Sequence, residues 1–282
     1  MTIRIVTDSA SDLPSNALEQ YKVTVVPIYV NIGSRGYRDG IDLSREEFYT
    51  KLPEYNPPPT TGVPSPTLLI QAYERLAAEG ATEILSLHLS NSLSSTVEVA
   101  RVAARQTGAI PVTVLDSHQL SMGMGFLAIT AAQAAQEGKT MPEILALLQD
   151  QIARTHTAAA LDTLEFLRRS GRMSGVVARI GNLLRIKPIL RMYEGHPSVE
   201  RVRTQRGALN RLEQILEEQS PLERIALLHA NVPDRLEELR QRVQHLIPAG
   251  EVPIGVITPV LGTHIGPGVV GFSCVSAKDS SE

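Results

Sequence analysis

The chain has 282 residues, of which 43% are hydrophobic and 20% charged, and 27 Lys and Arg against 30 Asp and Glu give a net charge of −3. This length corresponds to about two domains. The apolar fraction excludes a disordered chain, and the charge balance excludes a general attraction for nucleic acid or anionic membranes. The one cysteine, Cys274, excludes an internal disulfide and a multi-cysteine metal centre.

The N-terminal residues, MTIRIVTDSASDLP, lack the apolar stretch and the cleavage site of a signal peptide. No window of the chain contains the roughly 18 apolar residues that a membrane-spanning helix needs. Together with the single cysteine, these features predict a cytoplasmic protein without stable membrane insertion.

The first predicted element is a short strand at Ile3–Thr7. The β-branched run at Val23–Val30 contains Pro27, which cannot donate to a sheet, so this segment is predicted to be an edge strand or to carry a bulge. Ser44 and Glu47 form a capping-box pattern at the start of a helix. The proline-dense segment Pro53–Pro66 is predicted to contain no regular element.

Strand and helix patterns then alternate along the first half of the chain. After a helix that opens at Pro66, strands are predicted at 83–88 and 112–115, and helices at 97–107, 119–136 and 140–154. Strands separated by helices of this length are typical of a parallel sheet with helices on both faces. We therefore predict an α/β domain over residues 1–155, with a doubly wound parallel sheet.

The pattern changes after about residue 155. Short strands are predicted at 157–161, 186–192, 198–204, 225–229, 254–258 and 269–275, and apolar positions at helical spacing predict helices over 209–216 and 236–246. Glu194–Pro197 has the composition of a turn between two of these strands. Residues 156–282 are therefore predicted to form a second, α+β domain with a mostly antiparallel sheet.

Polar side chains follow three predicted strands of the first domain. Asp8 and Ser9 follow the first strand, Ser90–Thr96 follows the strand at 83–88, and Asp116 and Ser117 follow the next. Such residues cap helices routinely. They can also present hydroxyls and a helix N-terminus to an anion, and ligands of doubly wound sheets bind at these strand ends.

The familiar catalytic and phosphate-binding patterns are missing from the sequence. Neither a GxGxxG nor a GxxxxGK[ST] phosphate loop occurs, nor does a GxSxG nucleophile turn. The seven histidines show no HxxxH or HxH spacing, so no metal site is predicted. A Ser/His/Asp triad stays open, because all three residue types are abundant.

Three further segments combine residues of functional type, but each also has an ordinary structural interpretation. The glycines of Ser121–Gly125 favour close helix packing, and the basic residues of Leu164–Arg172 suit the C-terminal end of a helix. Thr263–Gly268 places a histidine beside two glycines and a proline, which is typical of a tight turn into the last strand.

Seven segments, in order along nearly the whole chain, resemble the DegV family and its fatty-acid-binding subunit of bacterial fatty acid kinase. They are Ile5–Ser9 with Asp12 and Leu13, Thr60–Pro66, Leu93–Thr96, Asp116–Ser117 with Ser121–Gly125, Leu164–Arg172, Lys187–Leu190 and His264–Gly268. Each segment alone is weakly specific, but their order makes the resemblance strong. Three positions depart from the family pattern, at Gly62–Val63, at Ser95 and at Ser170, and the first removes a Ser-Gln pair and one possible head-group contact.

The resemblance implies a monomeric two-domain protein that holds one long-chain fatty acid, such as palmitate, stearate or oleate, with its carboxylate between the domains. It implies no other cofactor and no activity of its own as an enzyme. The partner it implies is a separate ATP-dependent fatty acid kinase of the DhaK/DhaL-like type, which converts the carboxylate to an acyl phosphate for phospholipid synthesis. No nucleic-acid partner is expected.

The resemblance also implies roles for individual residues. Thr61, Ser94, Ser95 and His264 map onto carboxylate-binding positions, and Arg172 and Arg203 onto basic positions near the head group or facing the kinase. Asp8, Ser9 and Ser117 are expected to support the strand ends. Two alternatives stay open: a serine hydrolase or esterase that uses Ser94 or Ser117 with His264 as base, and a regulatory protein that responds to a bound lipid.

Overall fold

The structure is a computed structural model that describes residues 2–172, 186–250 and 252–278. The described strands are β1 Ile3–Asp8, β2 Thr24–Val26, β3 Tyr29–Ile32, β4 Arg35–Arg38, β5 Thr60–Gly62, β6 Glu83–His88, β7 Val112–Asp116, β8 Thr155–Ala160, β9 Lys187–Tyr193, β10 His196–Val202, β11 Leu222–His229, β12 Ile254–Val256 and β13 Val270–Ser276. The described α-helices are α1 Ser15–Tyr21, α2 Arg45–Lys51, α3 Pro66–Ala78, α4 Thr96–Gln106, α5 Ser121–Gln136, α6 Met141–Ala153, α7 Glu165–Ser170, α8 Gln205–Gln219, α9 Pro233–Val243 and α10 Pro259–Ile265.

The first half contains a parallel sheet with the strand order β2-β1-β6-β7. Alternate residues of β1 face opposite sides of it: Val6 packs with α3 and α4, whereas Ile5 joins the core that α5 covers. Helices therefore cover both faces, which confirms the predicted doubly wound sheet. Pro66 opens α3, with the Ser65 hydroxyl accepting a hydrogen bond from the Leu68 amide.

The second sheet has six strands in the order β10-β9-β8-β13-β11-β12. Every neighbouring pair is antiparallel except β11 and β12, which run parallel. One face is buried under α8 and α9, and the other faces the core around α5. The predicted mostly antiparallel α+β arrangement is confirmed. The domain boundary near residue 155 stays a prediction.

A three-stranded antiparallel sheet with the order β4-β3-β5 was not predicted. Its strand β5 lies inside the segment Pro53–Pro66, so the prediction that this segment has no regular element is wrong. The run at Val23–Val30 is also not one strand: Pro27 separates β2, an edge strand of the parallel sheet, from β3 in the small sheet. Local composition missed β5 because its partner, β3, lies about thirty residues earlier in the chain.

The tight turn predicted at Thr263–Gly268 is wrong for its first residues, because they belong to α10. Thr263 and His264 were assigned to a tight turn, but both lie within α10, and the turn begins only at Gly266. Helix α10 packs against α2 and α7 and against strands β3 and β5 of the small sheet. This packing brings residues near the end of the chain into contact with residues of its first quarter.

Two other local predictions are confirmed. The Ser44 hydroxyl accepts a hydrogen bond from the Glu47 amide at the start of α2. In α5, a Cβ added to Gly123 would lie 2.7 Å from Thr157 Oγ1, and one added to Gly125 would lie 2.8 Å from the Ser11 carbonyl oxygen, so both glycines permit close helix packing. Within the described part of the chain, no helix combines the length and apolarity needed to cross a bilayer.

Candidate functional site: an apolar cavity with a polar mouth

An apolar cavity lies between the inner face of the six-stranded sheet and the first half of the chain. Its empty volume is about 1080 Å³, including the part open to solvent. Most of its walls are aliphatic, and they come from the sheet, from loops that follow the parallel strands and from α10; they include Ile28, Leu89, Leu93, Leu120, Leu190, Met192, Leu228, Ile257, Val260, Leu261, Ile265 and Phe272. Such walls suit an extended hydrocarbon chain.

Small residues make room for the cavity on the sheet. Ala159 of β8 pairs in register with Leu190 of β9 on one side and with Gly271 of β13 on the other, and Gly271 pairs in turn with Leu228 of β11. All four residues line the cavity. The two central positions carry a methyl group and a hydrogen between two leucines, so this row forms a shallow groove across the sheet.

Three residues line both this cavity and a second, outer depression. Thr61, Arg172 and His264 are common to the two, so they lie where the apolar cavity meets the outside. The rest of the outer depression is more polar and is lined by Tyr55, Asn56, Pro58, Pro59, Thr60, Phe166, Arg169, Ser170 and Thr263. The mouth therefore combines hydrogen-bonding groups and one positive charge above an apolar interior.

Thr61 and His264 contact each other at this mouth. Thr61 Oγ1 lies 3.0 Å from His264 Nε2. Burial, with a smaller contribution from the charge of Arg172, lowers the pKa of His264 to about 4, so the imidazole is neutral at pH 7. His264 Nδ1 is buried and has no hydrogen-bond partner among the described residues.

This geometry leaves a hydrogen-bond donor free in either tautomer of His264. If Thr61 donates to Nε2, then Nδ1 carries the proton and can donate to a ligand. If Nε2 carries the proton and donates to Thr61, the Thr61 hydroxyl can donate instead. An unpaired buried polar atom is costly. The pair is therefore suited to an anionic oxygen at the mouth.

Ser94 also lines the cavity, but Ser95 does not. Ser94 is half-buried, and its Oγ lies 2.8 Å from Thr96 Oγ1 and accepts a hydrogen bond from the Thr96 amide. Ser95 immediately precedes α4 and is exposed. Of the four residues predicted to bind a carboxylate, Thr61, Ser94 and His264 line the cavity and Ser95 does not. That these residues bind a carboxylate stays a prediction.

The two predicted arginines differ in position. Arg172 follows Gly171, whose φ of +69° ends α7, and it lines both the cavity and the outer depression. Arg203 lies just beyond β10, is exposed and lines neither. The structure therefore places Arg172, and not Arg203, at the mouth.

Asp8, Ser9 and Ser117 are buried and hold loops rather than line the cavity. The Asp8 carboxylate accepts hydrogen bonds from the amides of Ala10 and Leu89. Ser9 Oγ accepts one from the Ile28 amide. Ser117 donates to the Gln119 carbonyl and accepts from the Gln119 amide. These bonds fix the ends of β1, β6 and β7, from which Leu89 and Leu120 reach the cavity.

A buried Ser–His–Asp chain is present that the sequence analysis did not single out. His88 Nε2 lies 2.7 Å from Ser86 Oγ, and His88 Nδ1 lies 3.1 Å from Asp8 Oδ2. All three residues have 0% exposure, and Tyr73 OH lies 2.8 Å from Ser86 Oγ. Because no substrate can reach the Ser86 hydroxyl, this chain is structural.

The hydrolase hypothesis receives no geometric support. It required Ser94 or Ser117 beside His264, but the hydrogen-bond partner of His264 Nε2 is Thr61. Ser117 is turned toward Gln119, and Ser94 toward Thr96.

The sequence analysis missed several polar residues of the site. Ser121 lines the cavity at the start of α5, has a φ of +53° and donates a hydrogen bond of 2.5 Å to Asp12 Oδ2. Thr157 lines the cavity, and its Oγ1 lies 2.9 Å from Ser273 Oγ. Asp12 and Ser121 both belong to segments quoted for the resemblance, but nothing local indicated that they contact each other.

One surface cluster has the residue types of a metal site. Glu213, Glu217 and His245 bring one potential ligand atom each within 4.8 Å of one another. Glu217 and His245 are exposed, and Glu213 also lies 3.8 Å from Arg242. None of the three lines the cavity or the outer depression.

Comparison with known proteins agrees with this architecture. A family model described as "Uncharacterised protein, DegV family" matches residues 2–277. The chain is 36% identical over 274 residues to a DegV domain-containing protein of Streptomyces coelicolor, covering 95% of this chain and 96% of that one. It is 31% identical over 279 residues to Protein DegV of Bacillus subtilis, covering 96% and 98% of the two chains.

Solved structures are similar over the same extent. One, described as "Fatty Acid Binding of a DegV family Protein from Thermus thermophilus", matches with a TM-score of 0.89 and 35% identity, covering 98% of this chain and all of that one. Another, described as DegV, a fatty acid binding protein from Bacillus subtilis, has a TM-score of 0.87 and 29% identity, with 98% and 99% covered. By its sequence, its fold and the extent of these matches, the chain belongs to the DegV family.

Proposed function

We propose that this protein binds one long-chain fatty acid and presents its carboxylate to a separate ATP-dependent fatty acid kinase, which forms the acyl phosphate. The observation that carries the proposal is the position of Thr61 and His264, which contact each other where the apolar cavity opens into the outer depression. In this arrangement the acyl chain lies in the cavity and the carboxylate lies at the mouth.

The energetics favour such a ligand. An acyl chain of about 15 methylenes gains at most around 12 kcal/mol on burial, at roughly 0.8 kcal/mol per methylene and before the costs of association. A carboxylate that leaves water needs hydrogen-bond donors or a positive charge. Thr61, Ser94 and His264 supply donors, and Arg172 supplies the charge.

The family supports the ligand class. The two solved relatives from Thermus thermophilus and Bacillus subtilis are each described as binding fatty acid. Their similarity extends over 98% of this chain. We infer the same ligand class for this protein.

The outer depression supports the role of presenting the carboxylate. It gives a partner access to Thr61, His264 and Arg172 from outside. The sequence contains no phosphate loop, so we assign ATP binding to the partner. In the reaction, a carboxylate oxygen attacks the γ-phosphorus of ATP, ADP leaves, and the acyl phosphate stays in the cavity. The protein is then a carrier rather than an enzyme, and we propose that it acts as a monomer in the cytoplasm.

The first test is to identify what the purified protein contains. Native mass spectrometry should show one added mass per chain, and organic extraction followed by gas chromatography should identify a fatty acid of long chain length. A protein that is empty and also fails to take up added palmitate or oleate would contradict the proposal.

A second test separates presentation from binding. With an added fatty acid kinase and ATP, we expect Ser94→Ala to reduce acyl phosphate formation more than it reduces palmitate binding. The matched control is Ser95→Ala, one residue further along the loop and outside the cavity. Unchanged phosphorylation in Ser94→Ala would remove Ser94 from this role, and equal losses in both variants would indicate an indirect effect.

A further inference from the structure

Strands β8 and β13 show at which end of the six-stranded sheet the mouth lies. Ala160, the last residue of β8, pairs with Val270, the first residue of β13. Helix α7 and then Arg172 follow β8 along the chain, and α10 with His264 precedes β13. The mouth therefore lies at this end of the two strands.

The hairpin of β9 and β10 lies at the opposite end. His156 of β8 pairs with Tyr193, the last residue of β9, four residues from Ala160, or about 14 Å at the rise of an extended strand. Next to this pair, Met192 of β9 and Pro197 of β10 are cross-strand partners, and both line the cavity. The cavity therefore extends from the mouth to the hairpin.

Met192 belongs to the inner face of the sheet. Leu190, two residues earlier on β9, packs with the core around α5, whereas Ile189 packs under α8 and α9. Because side chains alternate along a strand, Met192 shares the face of Leu190. Its partner in register on β8 is Thr157, which also lines the cavity.

The loop between β7 and α5 completes this end of the cavity. Its residue Leu120 lines the cavity, and the side-chain amide of Gln119 donates a hydrogen bond of 2.8 Å to the Thr155 carbonyl oxygen. The His118 carbonyl oxygen accepts one of 3.0 Å from the amide of Gly195, at the tip of the hairpin. The loop is thus attached both to β8 and to the hairpin.

The contact between Gly195 and His118 is closely fitted. Tyr193 and His196 are paired, and the two residues between them, Glu194 and Gly195, have φ values of +44° and +79°, as in the two-residue turns that fix hairpin register. A Cβ added to Gly195 would lie 2.6 Å from His118 Nδ1. Any side chain at this position would therefore push the hairpin away from the loop.

We propose that Met192 and Pro197 form an end wall that the methyl end of the bound acyl chain meets, that this wall sets the longest chain the cavity accepts, and that the contact between Gly195 and His118 holds it in place. The inference rests on the proposed function, because a carboxylate at the mouth directs the chain along the groove of Ala159 toward the hairpin. Methylenes beyond the wall are rejected, since overpacking a well-packed interior is unfavourable.

The end wall is tested by offering the delipidated full-length protein an equimolar mixture of saturated fatty acids of 14 to 22 carbons. Native mass spectrometry, with gas chromatography of the extracted acids, gives the bound fraction of each length, and the cut-off is the length above which the wild-type fraction falls. Met192→Ala removes three side-chain atoms, which leaves room for about two methylenes. The bound ratio of the acid two carbons above the cut-off to the acid at the cut-off should rise about 15-fold, at roughly fourfold per methylene.

A neighbouring residue of the same strand provides the control. Ile189 is fully buried on the other face, so Ile189→Ala removes a core side chain without touching the cavity and should leave the ratio unchanged. If Met192→Ala does not fold, Met192→Val, a residue suited to strands, should raise the ratio about fourfold. An unchanged ratio in a folded Met192 variant, or an equal rise in Ile189→Ala, would overturn the end wall.

The contact at the hairpin tip is tested with Gly195→Ala, which should raise the bound fraction of acids above the cut-off. Gly138→Ala is the matched control, because Gly138 has a similar φ of +83° and open space around it, and its profile should match wild type. Combining Gly195→Ala with His118→Ala removes the ring that the new Cβ meets and should return the profile toward wild type. No change in Gly195→Ala, or no return in the double variant, would overturn the role of this contact.

The same measurement separates this inference from the proposed function. If the wild-type protein takes up no acid of any length, the proposed function is refuted and the end wall with it. If wild type and the Met192 variants bind fatty acids with the same cut-off, the proposed function stands and the end wall alone is refuted.

Discussion

Thr61 Oγ1 and His264 Nε2 lie 3.0 Å apart although 203 positions separate the two residues in the chain. Thr61 lies on β5, a strand of three residues, and His264 lies on α10, a helix of seven. Since each element is too short to be stable alone, the pair exists only where the small sheet and α10 pack together. The polar mouth of the cavity is therefore a product of long-range packing.

Replacement of Thr61 by valine tests this pair directly. Thr61→Val keeps the shape of the side chain but removes the hydroxyl, and a hydrogen bond to a charged group contributes about 1.5–3 kcal/mol. We expect the Kd for palmitate to rise about 10-fold to 100-fold. The measurement is a displacement titration with a fluorescent fatty acid. Thr60→Val, at the adjacent exposed position, is the control and should stay within about twofold of wild type; equal effects would argue against a head-group role for Thr61.

The titration of His264 reports the position of the ligand carboxylate. In the ligand-free protein, burial lowers its pKa from an ordinary value of 6.5 to about 4. A bound carboxylate favours the charged imidazole and should raise that pKa. NMR titration of the ring nitrogens, with and without palmitate, measures both values. An unchanged pKa in the loaded protein would place the carboxylate elsewhere.

The same pKa shift predicts how stability depends on pH. Because the folded-state pKa of His264 is lower than the unfolded one, the unfolded chain binds more protons between about pH 6.5 and pH 4. Its contribution to stability is therefore present above pH 6.5 and is lost on acidification through this range, by about 3 kcal/mol in total. Urea unfolding of wild type and His264→Gln should diverge in pH dependence within this window. Parallel curves would contradict the assignment.

The groove formed by Ala159 and Gly271 predicts a selective effect on chain length. Ala159→Leu fills the groove, and each methylene it keeps out of the cavity costs roughly 0.8 kcal/mol, or about a fourfold loss of affinity. Fatty acids of 16 and 18 carbons should therefore lose more affinity than those of 10 and 12. Competition assays across this series measure the effect, with Ala159→Ser as the small-volume control. A uniform loss at every length would indicate general misfolding instead.

Replacing Gly266 by alanine should destabilise the protein more than the same replacement at Gly33, another glycine with a positive φ. Gly266 has a φ of +76°, and an added Cβ would collide with the ring of Phe166. Gly33 has a φ of +60° with open space around it. We expect Gly33→Ala to cost about 1 kcal/mol through backbone strain alone. Gly266→Ala should cost about 2–4 kcal/mol, because its ψ of −178° lies in a region essentially restricted to glycine and overpacking against Phe166 adds to that strain. Urea unfolding checks both variants, and equal costs would contradict this prediction.

Much of the fold was predictable because its causes are local. The apolar positions Leu69, Tyr73 and Leu76 at helical spacing all face the core from α3, and Ser44 caps α2 as its sequence indicates. Strand β5 and helix α10 were not predictable in this way. Their stability comes from packing against β3 and α2, which lie far from them in the chain.

The candidate site shows the same division between features with local causes and features that depend on distant residues. The sequence itself determined most strands and helices outside the small sheet and α10, the helix caps, and the glycines that allow α5 to pack closely. Through the seven ordered segments it also singled out Thr61, Ser94, Arg172 and His264. Only the tertiary structure decided that Ser95 and Arg203 lie outside the cavity, that Ala159 and Gly271 form a groove, and that Thr61 contacts His264. The physical reason is that periodicity and capping act over one or two turns, whereas burial, cross-strand register and the pKa of a buried group depend on neighbours far along the chain, 31 positions away for Ala159 and Leu190 and 203 for Thr61 and His264.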